Sequence, residues 1–358
     1  MQLSYSELEG LTDVYTRLCA AEKPVLVYGT GNGCEKLFCV FERFGIRPQG
    51  IFSSDDFARE REFHGFKVMS LSEAEQRFCD FCAVLAFGTS LPDVMQRIES
   101  IAKKHELCAP ELSVADGGYF EKSVFLDDFE NVQKAYSLLC DDKSREVFVG
   151  LCRFKITGDI SYLKPLFSDP AESFENIIRP TEEEIYCDLG AYTGDTVDEL
   201  LSHTGGRYSH ICCFEPDMRN FRRLVKTHMQ LDNIDFVNAA AWDCDTQLRF
   251  AASSGRQSAV ADKGRLVSAR SLDSFLDGRQ ATYIKYDVEG ADVPALLGSK
   301  KTIQKYCPKI CTAAYHRPYD FYKLILLLDE IKSGCSFYLR QYPYYPSWET
   351  NIFMTARS

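Results

Sequence analysis

The sequence predicts an α/β protein with two parallel sheets that are built one after the other along the chain. Short apolar runs alternate with amphipathic segments near both ends, which is the pattern of parallel strands joined by crossover helices. A mostly helical stretch separates the two alternating regions. The 358 residues also exceed the length of one average domain. We therefore expect two tandem α/β domains.

The first alternating unit supports a Rossmann-like domain over residues 1–115. It opens with a helical pattern from Ser4 to Ala20, and a buried-strand run, PVLVYG, follows at Pro24–Gly29. Ser72 is the expected cap of a later helix. The remaining elements are a helix in CEKLFCVFERFG, a strand in RPQGIFSS, a helix in SLSEAEQRF, a strand in CAVLAFG and a helix in LPDVMQRIESIAKKH.

The rest of the chain divides into a bridge and a second Rossmann-like domain. Residues 116–180 are predicted to form a mostly helical bridge, with the helical periodicity interrupted at residues 141–142. We assign residues 181–358 to the second domain, because the alternation resumes at Ile185. Its predicted strands lie in EIYCDLG, YSHICCFEP, NIDFVNAAAW, TYIKYDVEG and KICTAAYH.

The composition excludes several classes of partner. The net charge is -11, whereas nucleic acids and anionic membranes bind clustered basic residues, so neither is expected as the main partner. No apolar run approaches the ~20 residues that a membrane span needs. The first residues lack the basic and apolar regions of a secretory signal, and we therefore expect a cytoplasmic location.

The segment IYCDLGAYTGDTVDEL points to a ligand with positive groups. Asp188 ends a strand, and Gly190 and Gly194 allow close backbone approach before a helix that begins near Asp195. A pyrophosphate normally binds at such a helix start, but Asp195 would repel it. A zwitterionic ligand with an ammonium and a sulfonium group fits better, because backbone N–H groups can take its carboxylate.

Two further strand ends complete a predicted pocket for S-adenosylmethionine (SAM). Glu215 ends the second strand, where Rossmann-like folds bind ribose hydroxyls through a carboxylate. Small side chains and an aromatic in NAAAWD end the third strand and can flank a flat base. The candidate cofactor-binding residues are Asp188, Gly190, Ala191, Tyr192, Gly194, Asp195, Thr196, Glu215, Pro216, Ala239, Ala240, Trp242 and Asp287.

Four ionisable residues form the candidate catalytic group. Strand alternation places Lys285, Asp287 and Glu289 on one face of a buried strand, where charges are costly unless they are paired or used. His316 ends the following strand at the same sheet edge. Methyl transfer to a hydroxyl needs in-line approach and a base, for which we prefer His316 over Asp287 because its pKa lies nearer neutrality. A purely structural Lys285–Asp287 ion pair is the alternative.

These motifs resemble the FkbM-type methyltransferases. The matching residues are DLGAYTGDT, FEPD, NAAAWD, the segment SLDSFLDGRQATYIKYDVEGADVPALLGSKKTI, and AAYH, within about 145–357. The resemblance implies a class I SAM-methyltransferase sheet and O-methylation of sugars or polyketide-type secondary metabolites. Asp292 stands where glutamate is commoner in that family, and Tyr286 where a small aliphatic residue is usual.

A partial dinucleotide motif marks the N-terminal unit. In VLVYGTGNGCEKLF, Gly29 and Gly31 fit G-x-G-x-x-G, but Cys34 stands at the third glycine position. The segment is similar to small units that precede some sugar-modifying transferases, which makes a nucleotide-sugar at Gly29–Gly33 one expectation and a scaffold or docking role the other.

The resulting hypothesis is a SAM-dependent O-methyltransferase acting on a saccharide or related hydroxylated metabolite, with no metal ligands assigned and the metal requirement left open. The alternatives are a non-catalytic module that binds a nucleotide or nucleotide-sugar, and an NAD-dependent sugar oxidoreductase. A homo-oligomer is a further expected arrangement. Near the C-terminus, Tyr342, Tyr344 and Trp348 suit either stacking on a sugar ring or packing within a terminal hairpin.

Overall fold

The computed structural model describes residues 2–55, 62–252, 258–260 and 265–357. Their strands form a six-stranded, a four-stranded and a seven-stranded sheet. The two larger sheets are mainly parallel and follow one another along the chain, so the predicted α/β fold class is confirmed. The domain limits at residues 115 and 180 stay a prediction.

The first sheet belongs to the N-terminal unit. Its strands are β1 (Val25–Tyr28), β2 (Gly50–Ser53), β3 (Glu62–Phe63), β4 (Phe66–Ser70), β5 (Cys82–Leu85) and β6 (Glu106–Cys108). The order is β3-β4-β2-β1-β5-β6, and only β3 runs antiparallel to its neighbour. The strands β1, β2 and β5 are buried throughout, as their continuous apolar runs predict. The sequence did not indicate β3, β4 and β6, of which β3 and β6 have only 2 and 3 residues.

The helices of this unit differ from the prediction in two places, each at the start of a helix. They are α1 (Tyr5–Gly10), α2 (Val14–Cys19), α3 (Asn32–Phe44), α4 (Leu71–Phe78) and α5 (Pro92–Lys104). The single helix expected from Ser4 to Ala20 is wrong, because Asp13 caps a second helix there. The cap of α4 is Ser70 and not Ser72, since Ser70 and Glu73 form a reciprocal capping box.

The bridge is largely helical, as predicted. It contains α6 (Lys122–Asp127), α7 (Phe129–Leu138), α8 (Asp142–Thr157) and α9 (Pro170–Ser173), followed by a π-helical turn at Phe174–Ile178. The break expected near residues 141–142 lies at the start of α8, where the Asp141 side chain accepts the N–H of Ser144.

The second large sheet carries the predicted strands in the predicted chain order. They are β7 (Ile185–Leu189), β8 (His210–Phe214), β9 (Ile234–Val237), β14 (Tyr283–Tyr286), β15 (Lys309–Ala313), β16 (Cys335–Gln341) and β17 (Thr350–Ala356). The order is β16-β17-β15-β14-β7-β8-β9, with β17 antiparallel to both neighbours. The strand order reverses between β7 and β14, because later strands are added on opposite sides of these two, and such a point is where open α/β sheets bind ligands.

Helices and a small sheet surround this second sheet. The helices are α10 (Asp195–Thr204), α11 (Met218–His228), α12 (Leu272–Leu276), α13 (Asp292–Leu297), α14 (Lys300–Tyr306) and α15 (Asp320–Ile331). The small sheet, which the sequence did not indicate, consists of β10 (Ala240–Ala241), β11 (Thr246–Ala252), β12 (Ser258–Val260) and β13 (Arg265–Arg270). Within the described residues, no helix combines the length and the apolar run that a bilayer crossing needs.

The loop between β16 and β17 joins the two halves of the protein. Thr89 and Tyr345 exchange two backbone hydrogen bonds of 2.8 and 2.9 Å. The rings of Trp348 and Tyr344 lie so close to Gly88 that a Cβ atom there would overlap Trp348. Tyr344 and Trp348 therefore pack against the N-terminal unit. Of the two predicted roles, this contact favours packing of the terminal hairpin over stacking on a sugar ring.

A buried ion pair connects the same loop to the bridge. Lys155 on α8 lies 2.9 Å from Glu111, and their side chains are 1% and 0% exposed. The hydroxyl of Ser347 donates to the other oxygen of Glu111 at 2.9 Å. Three distant parts of the sequence thus meet at one carboxylate.

Candidate active site

A cavity of about 1030 Å³, partly open to solvent, lies at the carboxyl ends of β7, β8, β14 and β15. The cavity is lined by Gly190, Tyr192, Asp195, Thr196, Glu215, Pro216, Asp217, Asn220, Ala240, Ala241, Lys285, Asp287, Val288, Glu289, Ala291, Tyr315 and Glu349.

The glycine turn after β7 forms one wall of the cavity. Gly190 has a φ of 94°, and a Cβ atom at this position would overlap the carbonyl of Asp287. Tyr192 also has a left-handed φ, of 48°, and its N–H donates to Glu215 at 2.9 Å. Only a residue without a side chain fits at position 190, so the turn can pass directly beside the loop that follows β14.

Glu215 is a buried carboxylate at the tip of β8. Its two oxygens accept the N–H groups of Tyr192 at 2.9 Å and Asp217 at 2.7 Å. Burial raises the pKa of Glu215 to about 7, against the opposing effect of these two hydrogen bonds. A carboxylate has about four acceptor positions, so each oxygen retains capacity for a ligand hydroxyl.

Asp188 and Lys285 occupy paired positions on β7 and β14. Asp188 is fully buried; its Oδ2 accepts the hydroxyl of Thr196, and its Oδ1 has no hydrogen-bond partner among the described residues. Burial raises the pKa of Asp188 to about 6, although Lys285 favours the charged form. Burial disfavours the charged form of Lys285, but the nearby carboxylates of Asp287 and Asp188 have the larger effect and raise the pKa of Lys285.

Asp287 is held between two cationic side chains. Its Oδ2 lies 3.4 Å from the ammonium of Lys285, and its Oδ1 lies 3.2 Å from Nε2 of His316. The hydroxyl of Tyr315 donates to Oδ1 at 3.4 Å. Burial alone would favour the neutral acid, yet Lys285 and His316 hold the pKa of Asp287 well below its usual range. The carboxylate is therefore ionised, and 34% of its side chain stays exposed.

His316 lies behind Asp287 and outside the cavity wall. It is fully buried, and its Nδ1 lies 2.9 Å from Asp292 while its Nε2 faces Asp287. Burial opposes the positive charge, but the two carboxylates raise the pKa of His316 well above its usual value. A protonated imidazole has no lone pair to accept a proton, so the geometry does not favour the sequence-based preference for His316 as the base.

The cavity brings together ten of the residues predicted from the sequence. These are Gly190, Tyr192, Asp195, Thr196, Glu215, Pro216, Ala240, Lys285, Asp287 and Glu289. Their individual roles stay a prediction.

Six predicted residues do not line the cavity. Asp188 and His316 are buried beneath it, as described above. Ala191 packs in the core, and Gly194 lies against the ring of His228. Ala239 is buried, and Trp242 packs on the small sheet with its carbonyl against Gly298. For these residues, contact with a cofactor stays a prediction.

Sequence reasoning missed seven lining residues. Tyr315 and Ala241 adjoin residues that were chosen, so widening each motif by one position would have found them. Glu349 lies in the β16–β17 loop, 62 positions after Asp287, and no local pattern marks it. The other missed residues are Asp217, Asn220, Val288 and Ala291.

The edge of the first sheet near Gly29–Gly33 has a different character. A Cβ atom on Gly29 would come 2.5 Å from the ring of Phe87, and the remaining space is about 380 Å³. The described residues around it include one basic side chain, Lys36, whose ammonium donates to the carbonyls of Ser113 and Val114. These contacts do not support the expected nucleotide-sugar site.

Comparison with known proteins identifies the class of this site. Residues 188–337 match the methyltransferase FkbM domain. The FkbM methyltransferase of Methylobacillus flagellatus has a similar structure, with a TM-score of 0.72 and 19% identity over 98% of this chain and 96% of that chain. Fibrillarin of Aeropyrum pernix, in complex with SAM, gives a TM-score of 0.33 and 13% identity over 49% of this chain and 67% of its own. No curated protein matches the sequence.

The match at residues 188–337 supports a methyltransferase that uses SAM as its cofactor. The resemblance to FkbM methyltransferases that the sequence motifs predicted is thereby confirmed for residues 188–337. The structural likeness to the Methylobacillus protein extends beyond this domain and includes the N-terminal unit, although at 19% identity it concerns the fold alone.

The residues at the cavity fit SAM. Glu215 offers acceptor positions for ribose hydroxyls, and the turn at Gly190 leaves room for a ligand beside the backbone. Asp195 lines the cavity and Asp188 is buried beneath it, and both carboxylates favour a ligand with positive groups. The small Ala240 and Ala241 also line the cavity. Among the described residues, no group of three or more histidine, cysteine or acidic side chains is arranged to hold a metal ion.

SAM binding is expected to weaken as the pH falls from 8 to 6. Glu215, with a pKa of about 7, becomes protonated over this range and loses acceptor capacity for the ribose hydroxyls. If only the ionised form of Glu215 binds SAM, the affinity for SAM falls about tenfold between pH 8 and pH 6. Calorimetric titration with SAM at both pH values measures the change.

The variant Glu215→Gln is the control for this pH dependence. It should bind SAM weakly at both pH values and retain only the dependence that arises from SAM itself or from other groups such as Asp188. Equal affinity of the unmodified protein at pH 6 and pH 8 would contradict the role of Glu215.

Proposed function

We propose that this protein transfers the methyl group of SAM to a hydroxyl group of a saccharide or a related hydroxylated metabolite. The observation that carries the proposal is Asp287, an ionised carboxylate that faces the cavity and is fixed from behind by Lys285 and His316. When bound, SAM supplies an electrophilic methyl group. The chain must then orient the acceptor oxygen and remove its proton.

Asp287 is suited to accept that proton even though its pKa is low. An alcohol oxygen that gains a methyl group becomes an oxonium, whose proton is far more acidic than a carboxylic acid, so a weak base is sufficient. Lys285 and His316 disfavour the neutral form of Asp287, and its exposed part offers a path for release of the proton to solvent. His316 accordingly acts as a positioning residue and not as the base.

The remaining side chains on this side of the cavity support a hydroxylated acceptor. Glu289, Tyr315 and Glu349 line the cavity around Asp287 and are all able to accept or share hydroxyl hydrogen bonds. Lys285 is the one basic side chain among the described lining residues. The site therefore favours a neutral polyol over a phosphorylated acceptor.

Methyl-labelled SAM provides the test of this function. The full chain is incubated with neutral sugars, glycosides and hydroxylated polyketides, and the position of the label in the product is determined by NMR. Label on a hydroxyl oxygen supports the proposal, whereas label on nitrogen or carbon only, or no transfer to any acceptor, contradicts it. Calorimetric titration with NAD in parallel separates the oxidoreductase alternative, which requires binding of NAD.

A further inference from the structure

A short segment after the first sheet contacts the loop that carries His316. The N–H groups of Val114 and Ala115 donate to the carbonyl of His316 at 2.9 and 3.2 Å. The hydroxyl of Ser113 donates to the same oxygen at 3.0 Å. One carbonyl thus receives three hydrogen bonds from residues 113–115. Since Ser113 is buried, this contact is protected from water.

The same segment contacts the loop that follows Asp287. Gly290 has a φ of 89°, and a Cβ atom at this position would overlap the side chain of Ala115. Arg317 donates to Asp116 at 3.0 Å and to the carbonyl of Gly290 at 3.1 Å. Residues 113–116, which we call the clamp segment, therefore join the two loops that present Asp287 and His316.

Lys36 on α3 holds the clamp segment from the N-terminal side. Its ammonium donates to the carbonyls of Ser113 at 2.8 Å and Val114 at 2.7 Å. These carbonyls belong to residues whose own N–H and hydroxyl groups face His316. A single side chain of the N-terminal unit therefore orients the donors that fix the loop behind Asp287.

We propose that Lys36 is a positioning residue for methyl transfer, acting through the clamp segment on His316 and thereby on Asp287. This inference rests on the proposed function, because the effect on activity is measured as the rate of methyl transfer. Loss of Lys36 would free the clamp segment and misplace Asp287. Glu215 at the tip of β8, which accepts the N–H groups of Tyr192 and Asp217, would keep its position. Small misplacements of a reacting group cost up to about 10²-fold in rate.

The test compares Lys36→Met with the matched variant Lys122→Met. Lys122 is equally half-buried and also donates to two backbone carbonyls, those of Glu9 at 2.5 Å and Leu11 at 2.6 Å. Lys36→Met should lower kcat about 10- to 100-fold and leave the Kd for SAM within about twofold. Lys122→Met should retain kcat, and Lys36→Arg should recover much of the activity because arginine keeps the donors.

Hydrogen exchange followed by mass spectrometry gives a readout that needs no acceptor. Lys36→Met should accelerate exchange in peptides that cover residues 113–118 and 314–320, whereas Lys122→Met should leave both peptides unchanged. Unchanged exchange there, or a kcat equal to that of the unmodified protein, would overturn the role of Lys36. A parallel loss of SAM affinity would also overturn it, since that would indicate general loosening. If no acceptor is methylated by the unmodified protein, the proposed function fails, and the exchange result still decides whether Lys36 holds the clamp segment.

Discussion

Asp287→Asn is expected to lower kcat by about 10²- to 10⁴-fold, the contribution that a positioned proton acceptor makes. Asparagine keeps the size of the side chain but presents an amide, which does not accept the proton of a forming oxonium. The variant also leaves Lys285 and His316 without the carboxylate that lies within 3.4 Å of both. Initial rates at saturating SAM measure kcat and remove any contribution from weaker cofactor binding.

Glu349→Gln is the matched control, because it also removes a carboxylate from the wall of the same cavity. Its kcat should fall by less than about tenfold, since the proton acceptor is retained. An equal loss in both variants would assign the effect to the overall charge of the cavity. A kcat of Asp287→Asn close to that of the unmodified protein would exclude Asp287 as the base.

Lys155→Met is expected to reduce the free energy of unfolding by about 3–5 kcal/mol, because it leaves the buried Glu111 without its cation. Both side chains of the pair are at most 1% exposed, so water cannot replace the lost partner. Ser347 would continue to donate one hydrogen bond to Glu111, which is insufficient for a buried charge. Denaturant titration monitored by tryptophan fluorescence and circular dichroism measures the change.

Two further variants distinguish the buried pair from a general effect of losing a lysine. Lys155→Met combined with Glu111→Gln removes both charges and should recover most of the lost stability. Lys23→Met breaks the exposed pair with Asp80, whose side chains are 48% and 52% exposed, and should leave the free energy of unfolding nearly unchanged because solvent screens such a pair. A loss of less than 1 kcal/mol in Lys155→Met would contradict the argument.

The sequence predicted the strands of the second sheet well because their physical signals are local. An apolar run that ends in Asp188 or Glu215 indicates both a buried strand and a polar residue at the carboxyl edge of the sheet. Adjacent parallel strands then place those ends together without any further information. The prediction of Ser72 as the cap of α4 was wrong because the local sequence does not distinguish two candidate serines. Ser70 and Ser72 are chemically equivalent, and only the hydrogen bonds between Ser70 and Glu73 identify Ser70 as the cap.

The partners of His316 could not be predicted from the sequence. Its pattern suggested a neutral base, whereas the structure places the ring between Asp287 and Asp292, 29 and 24 positions earlier in the chain. Such a charge pair depends on the packing of α13 against the end of β15, which no local pattern records. Lys36 and Glu349 escaped notice for the same reason, because each reaches its site from a distant element.

The contact between Trp348 and Gly88 affects the order in which the protein can complete its structure during synthesis. Gly88, next to the first sheet, leaves the ribosome long before the aromatic side chains of Tyr344 and Trp348 that contact it. Until then, the edge at Gly88 lacks its cover, and incompletely packed apolar surface favours aggregation. The N-terminal half therefore reaches its final packing only after Tyr344 and Trp348 have been translated.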